Sequence, residues 1–115
     1  MPDFVASVGG FYATAPDLLR LLHGVFEGDV LSPASRERLL TVVVPEENYA
    51  YGGRVRTLTL GGKPQRVSWN NCSNGPFKSL TVHTEDGRSV VLLNNTQMDQ
   101  ERLGELGESL LRTLY

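Results

Sequence analysis

The stretch Ser-Val-Val-Leu-Leu-Asn at residues 89–94 decides the fold. Its four central residues are all apolar, whereas a strand with one face in water alternates apolar and polar side chains. A short apolar run of this kind predicts a strand that is covered on both faces. We therefore expect residues 89–94 to lie at the centre of a β-sheet that is sandwiched between helices.

Turn signals on the N-terminal side of this strand predict the strands that accompany it. Glu85-Asp86-Gly87 indicates a hairpin that joins residues 77–84 to the apolar strand. Gly61-Gly62-Lys63-Pro64 indicates a second turn, between an alternating segment that begins near Tyr49 and the strand at residues 65–70. These segments predict about four antiparallel strands, arranged either as two hairpins or as one meander.

Capping signals predict helices on both sides of this strand region. Thr14 precedes a proline and an aspartate that suit a first helical turn, and Ser32-Pro33 starts a shorter helix that must stop before Pro45. Asp99 starts a third helix, which runs towards Tyr115. The first helix has one broad apolar face, formed by Leu18, Leu21, Leu22, Val25 and Phe26.

The length of 115 residues predicts a single domain over residues 1–115. Its class is α+β, with an antiparallel sheet packed with an N-terminal helix pair and a C-terminal helix.

The 11 basic and 13 acidic residues are spread along the chain, so we expect neither a nucleic acid nor a membrane as partner. Cys72 is the single cysteine and excludes an intrachain disulfide, and His23 and His83 have no metal-ligand spacing. We expect no metal and no cofactor.

Targeting signals are also missing from the sequence. No run of about 18 apolar residues could span a bilayer, and Met1-Pro2-Asp3 lacks the basic and apolar regions of a signal peptide. We therefore expect a soluble chain. Whether Met1 is a natural start stays open, as does the compartment of a longer parent protein, periplasm or cytoplasm.

Four segments follow one another in an order that points to a known family. They are Gly9–Leu18, Tyr51–Val55, Ser73–Ser79 and Asp86–Asn94. Their order and spacing resemble the C-terminal part of the serine β-lactamase and penicillin-binding-protein-like family, which includes class C β-lactamases, DD-peptidases and esterases. The resemblance implies part of a β-lactamase or transpeptidase-like fold, on which a serine hydrolase activity is built.

The motifs that carry the chemistry of that family are missing here. The family's Ser-x-x-Lys pairs a nucleophile with a base, but the nearest match, Ser35-Arg36-Glu37-Arg38, ends in an arginine, which cannot be deprotonated. The family's second motif is Tyr-x-Asn or Ser-x-Asn, and its only match, Ser68-Trp69-Asn70, falls in the wrong place. The Lys-Thr-Gly or His-x-Gly position falls on Trp69-Asn70-Asn71 or Asn70-Asn71-Cys72, without a basic residue or a glycine. The resemblance therefore implies a C-terminal fragment or degenerate relative with no catalytic residue.

A remnant of the third motif remains as a candidate ligand site. Its indole ring could stack on a ligand, and its amides and hydroxyl could form hydrogen bonds. In the alternative interpretation the tryptophan anchors the core and the asparagines form turns. The candidate residues are Trp69, Asn70, Asn71, Ser73 and Asn74.

A second function remains open, from a different class of protein. In the resembled fold the sheet continues with strands from the N-terminal part of the domain, so their absence would expose a sheet edge. Apolar helix positions such as Leu18, Leu22 and Phe26 would be exposed with it. The chain would then be an interaction module that completes or regulates a separate N-terminal-half polypeptide, or forms a homodimer through this edge.

Overall fold

The computed structural model describes residues 12–115 as an α+β fold, with three helices and one antiparallel sheet of six strands. The Gly9-Gly10 pair of the family resemblance lies outside the described residues. The helices are α1 (Ala15–Phe26), α2 (Pro33–Leu39) and α3 (Gln100–Arg112), and a 3-10 turn spans Pro45–Glu47. The strands are β1 (Val42–Val44), β2 (Tyr49–Ala50), β3 (Gly53–Leu60), β4 (Lys63–Asn74), β5 (Phe77–Thr84) and β6 (Ser89–Asn94).

All three helices begin where the capping signals predict. The Thr14 hydroxyl accepts a hydrogen bond from the Asp17 amide at 3.2 Å, and the Ser32 hydroxyl accepts one from the Ser35 amide at 3.1 Å. The Asp99 carboxylate accepts one from the amide two residues further on, at 2.9 Å. Each cap satisfies an amide that has no partner within its own helix, which confirms these predictions.

The sheet is a meander in which each strand pairs with its neighbour in sequence. The four long strands β3–β6 are the ones the turn signals predicted, but the expected number of about four is too low. β1 and β2 add two short strands of three and two residues beside β3. Pro45 and the left-handed Asn48, at φ 57°, interrupt this segment before an alternating pattern can develop.

The apolar strand β6 lies at one edge of the sheet, so its predicted central position is wrong. Within residues 12–115 it pairs with β5 alone. Both of its faces are nevertheless covered, because α3 packs on one side of β5 and β6 and α1 packs on the other. The helices on both faces of β6 explain its apolar run. A strand at the edge of a sheet can be covered in this way as well as a central one.

The main core lies between α3 and the sheet. Leu80 and Val82 of β5 are 1% and 0% exposed and pack against Leu103 and Leu111 of α3. Gly107 allows α3 to approach closely, because a β-carbon there would overlap Cδ2 of Leu80. The remaining members of this core are Leu60, Val67, Trp69 and Val90.

The opposite face of the sheet carries α1 and α2. Leu22 of α1 is buried, while Arg36 of α2 donates hydrogen bonds to carbonyl oxygens at the end of α1 and in the loop that follows it. Arg66 of β4 donates two hydrogen bonds to the Glu37 carboxylate, at 2.7 and 3.0 Å. These bonds and the opposite charges lower the pKa of Glu37 and raise the pKa of Arg66. α2 is thus held to the sheet by a bidentate ion pair.

The C-terminal residue is attached to the turn between β5 and β6. The Tyr115 hydroxyl donates to the Asp86 carboxylate at 2.6 Å, and the Arg88 guanidinium lies 3.9 Å from the centroid of the Tyr115 ring. Desolvation raises the pKa of Asp86, but hydrogen bonds from Thr84, Tyr115 and Gln65, together with the charge of Arg88, outweigh it. The pKa of Asp86 is therefore held below its usual range.

The contact at Gly107 predicts opposite effects of one substitution at two glycines of α3. At Gly104 a β-carbon would lie 3.7 Å from Trp69, so Gly104→Ala should raise the free energy of unfolding by up to about 1 kcal/mol through helix propensity. Gly107→Ala should lower it by about 1 kcal/mol, because overpacking against Leu80 outweighs the same gain. Urea denaturation measures both changes, and an equal gain at the two sites would contradict the packing described.

The lowered pKa of Asp86 predicts a specific loss of stability in acid. A carboxyl group whose pKa is lower in the folded than in the unfolded protein stabilises the fold above its unfolded pKa, about 4, and this contribution disappears as the pH falls through the folded value. The melting temperature should therefore fall below about pH 4, with a shallower fall in Asp86→Asn. Asp29→Asn, at an exposed aspartate in the loop after α1, is the control and should keep the wild-type slope.

Candidate functional site

The five candidate ligand residues lie along β4 and do not form one site. Trp69 and Asn71 face α3 and border a groove beside it, whereas Asn70 lies on the other face, where a β-carbon on Gly53 would overlap its Oδ1. Trp69 is 6% exposed and belongs to the core. Asn70 and Asn71 pair with β5 as strand residues, so the interpretation of these two asparagines as turn formers is wrong.

Ser73 and Asn74 lie further along β4, at the end of the strand that leads into the turn to β5. Lys78 Nζ donates to Ser73 Oγ at 2.6 Å and to the Gly75 carbonyl at 2.8 Å. A serine beside a lysine has the composition of a nucleophile and its base. This pair is exposed at a hairpin end, however, and the ammonium also bonds to the Gly75 carbonyl of the turn. Its evident role is to close the turn.

The groove between α3 and strands β3 and β4 has a volume of about 510 Å³. Arg56 lies across its floor, with its guanidinium 4.3 Å from the centroid of the Trp69 ring and 3.1 Å from the Glu108 carboxylate. The cation therefore covers the aromatic face that would stack on a ligand, and its own charge is already paired. Glu101, Glu105 and Arg112 also border the groove, so its rim carries charges of both signs.

A polar cluster on the opposite face is the arrangement that sequence reasoning missed. His83 is 5% exposed, with Nδ1 2.6 Å from Ser89 Oγ and Nε2 2.9 Å from Glu27 Oε1. The Phe26 ring stacks on the imidazole, with centroids 4.9 Å apart. No short motif links these residues, because they come from α1, β5 and β6. Because side chains alternate along a strand, the sequence can indicate that His83 and Val82 lie on opposite faces of β5. It contains no signal that α1 covers the face that carries His83.

This cluster contains a serine, a histidine and a carboxylate, but it joins structural elements rather than forming a reactive site. Both imidazole nitrogens are engaged. A cavity of about 220 Å³ next to the cluster is lined by Glu27 and His83, and Ser89 is not among its lining residues. A serine nucleophile has to face the space that a substrate occupies. His83 instead connects the C-terminal end of α1 to β5 and β6.

The outer edge of β6 presents backbone groups without a strand partner within residues 12–115. The Thr84 amide bonds to the Arg88 carbonyl at 2.8 Å at the start of the β5–β6 pairing. Because bonded and non-bonded pairs alternate in an antiparallel ladder, Val90, Leu92 and Asn94 bond to β5. The backbone groups of Ser89, Val91 and Leu93 consequently point outward.

Apolar side chains flank this edge on the α3 side. Across α3, Glu108 contacts β3, Gly104 faces Trp69 of β4, and Gly107 faces Leu80 and Leu92 of β5 and β6. The next side of the helix, which carries Leu106 and Leu110, therefore lies beyond β6. These two leucines are 44% and 39% exposed.

A similar arrangement is present on the α1 side. Phe26 stacks on His83 of β5, and α1 also packs on β6. The buried Leu22 lies between Phe26 and Leu21 around the helix, so Leu21, about 140° from Phe26, is on the opposite flank, towards the β6 edge. Leu21 is 60% exposed. The expectation that Leu22 is exposed is wrong, because it is 8% exposed, and Leu18 and Phe26 are half-buried. We call the outward groups of Ser89, Val91 and Leu93, with the side chains of Leu21, Leu93, Leu106 and Leu110, the β6 edge surface.

Several further observations limit the site. Among residues 12–115, no group of three or more histidine, cysteine, aspartate or glutamate side chains is placed to hold a metal ion. None of the helices in the described part of the chain combines the length and apolarity needed to cross a bilayer. No protein-family model, no curated protein and no solved structure matches this chain. Within residues 12–115 the sheet has two edges, β1 and β6. β1 is only three residues long, so the six-residue β6 edge is the longer of the two.

The contacts of His83 predict a structural penalty for its removal. His83→Leu leaves Glu27 and Ser89 without their imidazole partner, so the free energy of unfolding should fall by about 2 kcal/mol. His23→Leu, at an exposed histidine of α1, is the matched control and should change it by no more than about 0.5 kcal/mol. Chemical denaturation checks both values, and equal effects of the two variants would contradict the connecting role.

Proposed function

We propose that this chain is an interaction module without catalytic activity, in which the β6 edge surface binds an extended strand of another polypeptide. The observation that carries this proposal is the edge of β6, which has no partner strand within residues 12–115 and is flanked by exposed leucines on both faces of the sheet. Residues 89–94 contain no charged side chain, although edge strands that avoid pairing are commonly protected by charge, proline or bulges. This edge lacks the first two of these protections.

The energetics require both parts of the surface. A hydrogen bond contributes about 0.5–1.5 kcal/mol net, whereas association costs at least about 4 kcal/mol in lost freedom of motion. Pairing along three outward residues alone would bind weakly. Burial of a fully exposed leucine contributes about 1.5–3 kcal/mol, so half-exposed leucines on both faces add the remaining binding energy. The partner must therefore combine a strand with apolar residues above and below it.

The resemblance to the serine β-lactamase-like family supports the same function from another direction. We propose that the chain corresponds to the C-terminal part, or to a degenerate relative, of such a hydrolase. A separate N-terminal-half polypeptide is then one candidate partner for β6. The missing Ser-x-x-Lys and Lys-Thr-Gly motifs, together with the exposed Ser73–Lys78 pair and the fully engaged His83, favour a chain that does not catalyse acyl transfer.

The proposed lack of catalysis predicts no covalent turnover. Incubation with a chromogenic cephalosporin should give no burst and no steady-state hydrolysis. Ser68 does line the cavity of about 220 Å³ beside His83, but both nitrogens of that imidazole are already engaged by Ser89 and Glu27. A fluorophosphonate probe should leave all serines unlabelled by mass spectrometry, with a class C β-lactamase as positive control. Stoichiometric labelling of one serine would overturn this part of the proposal.

The proposed strand binding predicts saturable capture of an extended peptide. The probe is a labelled peptide of alternating valine and threonine with a lysine at each end, and the control is the same peptide N-methylated at alternate residues. Fluorescence anisotropy should rise with the first peptide and not with the second, because methylation removes the donors that pair with β6. Equal binding of both peptides, or of neither, would contradict a strand-accepting edge.

A further inference from the structure

We infer that the polypeptide bound at the β6 edge is a second copy of this chain, joined by antiparallel pairing of β6 with β6 of the second copy. This inference rests on the proposed function and names its partner. The two six-stranded sheets would then form one continuous sheet of twelve strands. Such a dimer removes the free β6 edge of both copies at once.

The register of β6 is self-complementary. Its outward residues Ser89, Val91 and Leu93 are spaced symmetrically about Val91. A two-fold axis at Val91 pairs this residue with its own counterpart, and pairs Ser89 of each copy with Leu93 of the other. Each of these three pairs can exchange two hydrogen bonds. A shift of one residue would bring inward-pointing groups to the edge, and a shift of two would lose an outer pair.

The two faces of the sheet are self-complementary as well. A two-fold axis perpendicular to the sheet leaves the α3 helices of both copies on one face and the α1 helices on the other. Leu106 and Leu110 then lie towards their counterparts across the axis, and so does Leu21 on the opposite face. An interface of this kind is isologous and closes on itself. A partner of different sequence would need one apolar surface to cover Leu106 and Leu110 on the α3 face and a second one to cover Leu21 on the α1 face.

Charge and area favour the same occupant. The paired strands carry no charged side chain, and a net charge of −2 per chain leaves little repulsion between two copies. A stable interface buries roughly 800 Å² on each partner, more than the edge of one six-residue strand offers. The surface that a second copy covers extends through three layers, from α3 through β6 to α1, and all three carry exposed apolar side chains.

The test is the molar mass of the full chain in solution, measured by size-exclusion chromatography with light scattering over a concentration series. The wild type should give twice the chain mass of 12.7 kDa. Leu93→Pro removes one outward donor per copy without removing a bond to β5, and should move the midpoint of dissociation to roughly tenfold higher concentration or more. Leu93→Ala removes the same interface side chain but keeps the donor, so it should weaken the dimer less than Leu93→Pro, and the difference between the two variants measures the lost backbone bond.

A second pair of variants tests the apolar flank and does not alter the strand. Leu21→Lys should shift the equilibrium towards monomer, whereas Leu19→Lys should not, because Leu19 is exposed on the flank of α1 that carries Phe26. Circular dichroism confirms that each variant is folded. A dimer that is insensitive to both Leu93→Pro and Leu21→Lys would overturn the inference.

The failure of this inference can be separated from that of the proposed function. A wild-type monomer that still captures the valine–threonine peptide would overturn the second copy as partner and support a different chain at β6. A wild-type monomer that captures no peptide would overturn both. A dimer that Leu93→Pro and Leu21→Lys dissociate, and that Leu93→Ala weakens less and Leu19→Lys leaves unchanged, would support both.

Discussion

Close packing of α3 on the sheet at Gly107 is the contact on which the rest of the structure depends. The glycine brings the helix backbone down onto Leu80, and Leu103 and Leu111 are buried on either side of it. The same contact determines the rotation of α3 about its axis. Leu106 therefore lies beyond the edge of β6, where a strand from another chain would pass. The core and the β6 edge surface are consequences of one helix orientation.

The side chains that could have performed chemistry are used for structure instead. Arg56 lies over Trp69 and pairs with Glu108, and His83 is engaged through both nitrogens. A group that already has a short, well-placed partner must lose it before it binds a substrate, which costs free energy. The outward backbone groups of β6 have no such partner within the described residues, so they can bind another chain without first breaking a bond.

Local signals predicted local structure well. Thr14, Ser32 and Asp99 begin their helices as expected, and the turns at Gly61-Gly62 and Asp86-Gly87 join the predicted strands, because caps and turns depend on residues a few positions apart. Contacts between elements that are far apart in the sequence were predicted poorly. The apolar run of β6 indicated cover on both faces, but it could not distinguish a central strand from an edge strand beneath two helices. The His83 cluster also escaped prediction, because its residues are far apart in the sequence.

The sequence by itself determined the α+β class, the order of the elements, the helix starts and the long hairpins of the sheet, since periodicity, capping and turn chemistry are properties of short segments. Its residues also contain no Ser-x-x-Lys, the motif of the family that it resembles. Only the tertiary structure decided that β6 is an edge, that Leu22 is buried while Leu21 is exposed, and that the candidate residues of β4 point to opposite faces. These outcomes depend on how helices rotate and which strands lie side by side, and such long-range packing is set by the whole core at once.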